Sequence, residues 1–260
     1  MYKEISKLST FAAAEASKII VKYYNSELDV KMKGVGNPVT DADIEADNIL
    51  RDILMKECSD FGWLSEETKD STDRLNNEFI WIVDPLDGTK EFVEGIPNFV
   101  ISIGLVRNGV PVLGTIMNPI SGDLYLAYKG NGVQLNGEKV NISDKIDLHN
   151  LVMLNSRTET KNGLWDLYGK YFKKVVPIGS IAYKLAMVSA NQADIVASLK
   201  PKNEWDICAG HCLINESGGV LLTSEGKEIS YNNRKTLITP GLVASNKVAT
   251  FNLLDCINNV

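Results

Sequence analysis

The sequence predicts an α/β protein of stacked helix and sheet layers, with an α+β lobe over residues 1–149 and an α/β lobe over residues 150–260. Three observations carry that expectation. Apolar residues recur at helical spacing between Ile5 and Leu54. Short apolar runs separated by turn residues then occupy 79–128, and strand-like and helix-like segments alternate after Asn150.

Ile5, Leu8, Ala12, Ile19 and Tyr23 mark a first amphipathic helix, which Gly34-Val35-Gly36-Asn37-Pro38 breaks. A second helix is expected from about Asp41, with Ile44, Ile49, Ile53 and Leu54 as its buried stripe. Phe79-Ile80-Trp81-Ile82-Val83 is a continuous apolar run, as a buried strand requires, and is expected to end at Asp84-Pro85. Further strands are expected over 100–106, 110–117 and 124–128. With tight turns at Asn108-Gly109 and Asn131-Gly132 they form an antiparallel meander. In the second lobe, strands are expected over 151–154, 175–178 and 193–198. Helices are expected over 180–190 and from about Asp206 to a stop at Gly218-Gly219.

The net charge of -6 weighs against a nucleic-acid polymer as partner, which needs a basic surface. A small anionic substrate stays open, because bound divalent cations reverse the local field. No apolar run approaches the roughly 20 residues of a membrane span. The first residues lack a secretory pattern, and Cys58, Cys208, Cys212 and Cys256 include no C-x-x-C pair. The expectation is a cytoplasmic protein with reduced thiols.

Only two histidines occur, His149 and His211, with no G-x-S-x-G elbow and no phosphate-binding glycine-rich loop. Cys208 and His211, three apart on an expected helix, suit either a thiol and its base or a packed helix face. Hard oxygen ligands are more prominent. Asp84-Pro85-Leu86-Asp87-Gly88-Thr89 follows the buried strand directly. Pro85 fixes the turn, and Gly88 lets the backbone pass close to a ligand. Two carboxylates three residues apart at such a corner can face one hard cation such as Mg²⁺. Alone, Asp-x-x-Asp also suits an Asx-type turn that caps a helix.

The longer string Trp81-Ile82-Val83-Asp84-Pro85-Leu86-Asp87-Gly88-Thr89-Lys90-Glu91-Phe92 resembles the signature of a superfamily of lithium-sensitive, Mg²⁺-dependent phosphatases. Inositol monophosphatases, fructose-1,6-bisphosphatases and bisphosphate nucleotidases belong to it. Pro38-Val39-Thr40-Asp41-Ala42-Asp43, Trp63-Leu64-Ser65-Glu66-Glu67 and Trp205-Asp206-Ile207-Cys208-Ala209-Gly210, with Glu216-Ser217-Gly218-Gly219, resemble its other motifs in their expected order. The resemblance spans nearly the whole chain. It implies a layered αβαβα sandwich (the sugar-phosphatase fold), two to three Mg²⁺ ions, a monomer or homodimer, and a small phosphate monoester cleaved by a metal-activated water.

Position by position, the resemblance implies that Glu66, Asp84 and the Leu86 carbonyl bind one ion, and that Asp84, Asp87 and Asp206 bind a second. A weaker third ion would lie near Glu66, which joins the catalytic set. Thr89 with Asp43 would orient and deprotonate the water. The Gly88 and Thr89 N–H groups would hold phosphate oxygens, with Ser180 and Asp206 at the substrate. Plainer roles compete. Thr40-x-x-Asp43 is also a capping box, Asp206 suits a helix N-cap, Glu66 suits a solvated surface, and Glu67 suits a place behind the ligands.

Lys90-Glu91-Phe92 resembles the bisphosphate nucleotidases, whose bacterial members are called CysQ, more than inositol monophosphatases, which usually carry Thr-Asn-Phe there. Leu199 is apolar where inositol enzymes carry a carboxylate. Lys200 and Lys202 suit a second phosphate or a solvated loop. The resemblance therefore implies a 3′(2′),5′-bisphosphate nucleotidase that converts adenosine 3′,5′-bisphosphate to AMP. An inositol or sugar monophosphatase is the alternative on the same scaffold. A non-catalytic phosphate- or nucleotide-binding protein is the alternative of another class, against which the full carboxylate set and Thr89 weigh.

Overall fold

Small residues decide how the first two helices meet. In the computed structural model, which describes residues 1–24, 30–34 and 37–258, helix α1 (Tyr2–Tyr24) buries Ser9, Ala12, Ala13, Ala16 and Ile20. Strands β1 (Val30–Gly34) and β2 (Asn37–Thr40) form an antiparallel ribbon leading into α2 (Asp41–Glu57). Val35 and Gly36 of the expected break lie outside the described residues. Helix α2 buries Ala42, Ala46, Leu50 and Leu54, at steps of one helical turn. That stripe turns Ile44 outward, 42% exposed, against expectation, and leaves Ile49 and Ile53 at its edge.

The first sheet runs β3 (Gly62–Ser65), β4 (Phe79–Asp87), β5 (Val100–Arg107), β6 (Val110–Met117), β7 (Leu124–Tyr128), β8 (Val133–Leu135) and β9 (Glu138–Val140) in spatial order, with helix α3 (Thr89–Val93) between β4 and β5. β3 is parallel to β4, and every later pair is antiparallel, which is the expected meander. β4 does not stop at Asp84-Pro85. It continues to Asp87 through a register irregularity, Asp84 facing Ser102 and Asp87 facing Val100. The extra residue takes Pro85 out of the ladder, where its missing N–H does no harm, and re-aims the side chains that follow. Both faces of β4 are covered: Trp81 and Val83 pack in the cluster containing α1 and α2, whereas Ile80 and Ile82 pack on the opposite side. That explains its unbroken apolar run.

After β9 the chain forms β10 (Val152–Ser156), α4 (Arg157–Lys161), β11 (Lys174–Ile178), α5 (Ile181–Ser189), β12 (Ile195–Ser198), β13 (Lys202–Asn203), α6 (Glu204–Glu216), β14 (Gly219–Thr223), β15 (Leu237–Ile238), β16 (Leu242–Asn246) and α7 (Lys247–Asn258). The second sheet has the order β11-β10-β12-β16-β14, and β13 and β15 form a separate ribbon. Helices α5 and α6 lie between the two sheets, α1 and α2 cover the outer face of the first, and α7 covers the second. The layering is αβαβα, as expected. No helix among the described residues is long and apolar enough to cross a membrane.

Two paired glycines seat the central helix. Gly104 of β5 faces Gly114 of β6 across the ladder. A Cβ on Gly104 would collide with the Cys208 side chain, and one on Gly114 with the Ala209 carbonyl. Helix α6 therefore rests on bare sheet backbone, and its first turn, carrying Asp206, points past the ends of β3 and β4.

Candidate active site

Parallel pairing of β3 with β4 sets Ser65 beside Val83, so the next residues, Glu66 and Asp84, also lie side by side. The Glu66 N–H donates to the Val83 carbonyl at 3.3 Å. Behind it, the buried Asp47 carboxylate accepts the Ser65 and Thr68 hydroxyls, fixing the segment on either side of Glu66. In the β4 bulge, Asp84 Oδ1 accepts the Leu86 N–H at 3.0 Å. From the helix layer between the sheets, Asp206 Oδ2 accepts the Asn203 N–H at 2.7 Å at the start of α6. Glu66, Asp84 and Asp206 each bring a carboxylate oxygen within 4.8 Å of the other two.

Asp87 lines the same cleft but stands outside that triplet. Its Oδ2 accepts the Ser180 hydroxyl and the Ala182 N–H, both at 2.6 Å. Ser180, at φ 53, caps α5 by accepting the Tyr183 N–H at 2.9 Å. Its hydroxyl is thus committed to Asp87 and to the helix start, although the residue lines the cleft.

Four carboxylates in one cleft repel one another. Burial raises the Asp84 carboxyl well above the usual range, and the charges of Glu66, Asp87 and Asp206 add to that. Burial likewise raises Asp206, reinforced by Asp87 and Glu66. Burial raises Asp87 as well, against the opposing hydrogen bonds from Ser180 and Ala182 and the charge of Lys184. A hard divalent cation relieves this repulsion, and an all-oxygen donor set with no thiolate or imidazole suits Mg²⁺. The residues present fit the ion.

Asp43 serves both of its expected partners, with one oxygen for each. Oδ2 accepts the Thr40 N–H and hydroxyl at 2.7 Å, which secures the α2 start. Oδ1 accepts the Thr89 hydroxyl at 3.0 Å. The Leu86 carbonyl lies 3.2 Å from the same hydroxyl. Gly88 has φ 106, and a Cβ there would press on the Asn98 carbonyl at 3.0 Å, so only glycine turns this corner without strain.

The cleft encloses about 430 Å³ and is also lined by Lys90, Arg157, Lys184 and Lys202. Lys184 is buried, donates to the Ile178 and Gly179 carbonyls at 2.9 and 3.2 Å, and is pushed down to about 8 by burial. Arg157 belongs to none of the sequence motifs; it follows Ser156, which caps α4. It bridges Glu91 and Glu94, each at 2.7 Å. Glu91 is buried against Gly179, where a Cβ would collide with its carboxyl group. Leu199 turns into the hydrophobic layer beneath α7, while Lys200 is exposed. Cys208 and His211 lie outside the cleft. Burial raises the Cys208 thiol and lowers His211, whose Nδ1 meets the Tyr231 hydroxyl at 2.9 Å, so the packed-face reading holds for both.

The profile of the inositol monophosphatase family matches residues 1–257. An inositol monophosphatase of Mesembryanthemum crystallinum is 30% identical over 250 residues, 92% of this chain and 93% of that protein. A 3′(2′),5′-bisphosphate nucleotidase CysQ of Escherichia coli is 31% identical over 243 residues, 90% of this chain and 96% of that protein. Among solved structures, an IMPase of Thermotoga maritima superposes with a TM-score of 0.86 at 26% identity, covering 100% of this chain and 98% of that one.

Proposed function

Because the chain belongs to the inositol monophosphatase family of phosphatases, we propose that it is a Mg²⁺-dependent phosphomonoesterase that removes the 3′-phosphate of adenosine 3′,5′-bisphosphate. The observation that carries the reaction class is the convergence of Glu66, Asp84 and Asp206 beside the Thr89–Asp43 hydrogen bond. Glu66, Asp84, the Leu86 carbonyl, Asp87 and Asp206 would hold two to three ions. The first lobe (1–149) would supply most of these ligands and the second (150–260) Asp206. When bound, Mg²⁺ supplies positive charge that neutralises the phosphate ester and acidifies the attacking water.

The chain's own groups then do the following. The Thr89 hydroxyl, donating to Asp43 Oδ1, turns its lone pairs toward the water and orients it. As the water attacks phosphorus, its proton passes to Thr89 Oγ1 and the Thr89 proton to Asp43 Oδ1, while the P–O3′ bond breaks and the leaving 3′-oxygen takes a proton from a solvent water to become the AMP 3′-hydroxyl. The Gly88 and Thr89 N–H groups hold phosphate oxygens, and Ser180 keeps Asp87 aimed into the cleft. Asp206 stands at the substrate side.

Overall identity does not choose the substrate, since named inositol monophosphatases and a nucleotidase lie at about the same distance. The nucleotidase reading draws its support from Lys90-Glu91-Phe92 and Leu199. Glu91 holds Arg157 by an ion pair that an uncharged Asn would not make. Leu199, turned into the core, offers no carboxylate to sugar hydroxyls, and the cations Lys90, Lys184 and Lys202 in the cleft suit a second phosphate.

The test is phosphate release by the purified protein with Mg²⁺ from adenosine 3′,5′-bisphosphate, inositol monophosphates and sugar phosphates. The expected result is at least a tenfold preference for the bisphosphate in kcat/KM, with inhibition by Li⁺. An equal or greater preference for inositol 1-phosphate transfers the assignment to the inositol reading. Release from none of them supports a non-catalytic binding protein.

A further inference from the structure

Arg74 lies outside the cleft, on the connection between β3 and β4, the strands that lead to Glu66 and Asp84. Its side chain is only 2% exposed, and its guanidinium is occupied in three directions. Nε and Nη2 fork onto the Asp70 carboxylate at 2.7 and 2.9 Å. Nη1 donates to Asn232 Oδ1 at 2.6 Å, and Nη2 to the Asn233 carbonyl at 2.9 Å. Asn232 Nδ2 returns a bond to the Arg74 carbonyl at 3.3 Å.

On their other side, the same two asparagines grip Glu204. The Asn232 and Asn233 N–H groups donate to its two carboxylate oxygens at 2.8 and 2.9 Å, and Asn233 Nδ2 adds a third bond at 2.8 Å. Asn232 has φ 64, a left-handed conformation that asparagine tolerates better than most residues. That turn presents both N–H groups to one carboxylate. Glu204 is fully buried, opens α6, and stands two residues before Asp206.

The geometry points to Arg74 as a positioning residue for the metal cluster: through Asn232, Asn233 and Glu204 it fixes the start of α6, and with it Asp206, against the strands that present Glu66 and Asp84. The inference rests on the cation-binding reading given above. Mg²⁺ demands near-ideal octahedral oxygen geometry and tolerates little error in its ligand distances. Glu66 and Asp84 share a sheet, but Asp206 arrives from the helix layer between the sheets, so its place depends on how α6 is anchored. Gly104 and Gly114 seat the middle of that helix, and the Arg74 bridge holds its tip. Arginine suits the role because its planar fork satisfies Asp70 and the asparagine turn together, which a lysine ammonium does not.

The test is calorimetric titration of the full-length, substrate-free protein with Mn²⁺ as a probe of the Mg²⁺ site, with thermal midpoints read in parallel. Arg74→Met is expected to weaken Mn²⁺ binding threefold or more. A lowered midpoint with affinity inside threefold of the parent assigns Arg74 to stability alone and overturns the proposal. If Arg74→Met does not fold, Glu204→Gln, which mispairs one asparagine N–H, is judged by the same threshold. Asp84→Asn separates the two ideas. If it leaves the parent's isotherm unchanged, the cation reading itself fails. If it abolishes binding while Arg74→Met does not alter it, only the role of Arg74 fails.

Discussion

The Thr89 hydroxyl donates to Asp43 Oδ1 at 3.0 Å, joining the corner after β4 to the first turn of α2. The other Asp43 oxygen is held by Thr40, so Oδ1 faces Thr89 in a fixed orientation. Thr89→Ala and Asp43→Asn are each expected to lower kcat by roughly 10²- to 10⁴-fold, the usual worth of a placed general base. Mn²⁺ affinity should change little, because neither residue belongs to the carboxylate triplet. Steady-state kinetics with a metal titration checks both halves, and an unchanged kcat removes the pair from the mechanism.

Asp84 sits buried among like charges, which raises its carboxyl group. A raised acid contributes stability below its ordinary pKa near 3.9, and that contribution is lost as pH rises. The metal-free protein should therefore gain stability from Asp84→Asn at neutral pH, seen as a higher thermal midpoint. The same substitution should abolish the rise in thermal midpoint that Mg²⁺ gives the parent, and with it phosphate release. Thermal scans in EDTA and in Mg²⁺ decide this, and a less stable metal-free variant contradicts it.

His211 gives the opposite pH dependence. Burial pushes it from 6.5 down to about 4, so the unfolded chain takes up a proton that the folded protein resists. Its contribution is complete above about pH 6.5 and disappears as pH falls through about 4, a change near 3 kcal/mol. Urea unfolding of the parent and of His211→Gln at both ends of this range should show the variant losing less stability on acidification. Parallel losses would count against it.

Gly114→Ala places a methyl group against the Ala209 backbone. Helix α6 or strand β6 must then shift, with a destabilisation of about 1–3 kcal/mol. The urea midpoint should fall, and the Mg²⁺ concentration for half-maximal phosphate release should rise, because Asp206 rides on the displaced helix. A loss of stability with unchanged Mg²⁺ dependence would show that the helix tip moves independently of its middle.

The parts that were legible in the sequence share a physical cause. An unbroken apolar run followed at once by Asp84-Pro85-Leu86-Asp87 marks a doubly covered strand that ends in polar work, and the structure places Asp84, Leu86 and Asp87 at the cleft. The α2 stripe is hard to see in the sequence because its face is marked by Ala42 and Ala46, which carry little hydrophobic signal, whereas the more apolar Ile44 lies on the solvent side. The Pro85 bulge was hidden because one extra residue in a ladder has no composition of its own. Arg157 and Arg74 were invisible for another reason. Glu91 lies 66 residues from Arg157, and although Asp70 is only four residues from Arg74, the asparagines that tie it to α6 lie 158 and 159 residues away, a distance no local pattern announces.

At Gly104 and Gly114, α6 meets bare sheet backbone, with no strand side chain at those two points to deform under load. A side-chain cushion would let the helix slide and settle in several registers. Here the acid at its tip inherits the stiffness of the sheet itself. Gly104 pairs with Ile82 of β4, two residues before Asp84, so Asp206 and Asp84 are referred to one and the same backbone frame.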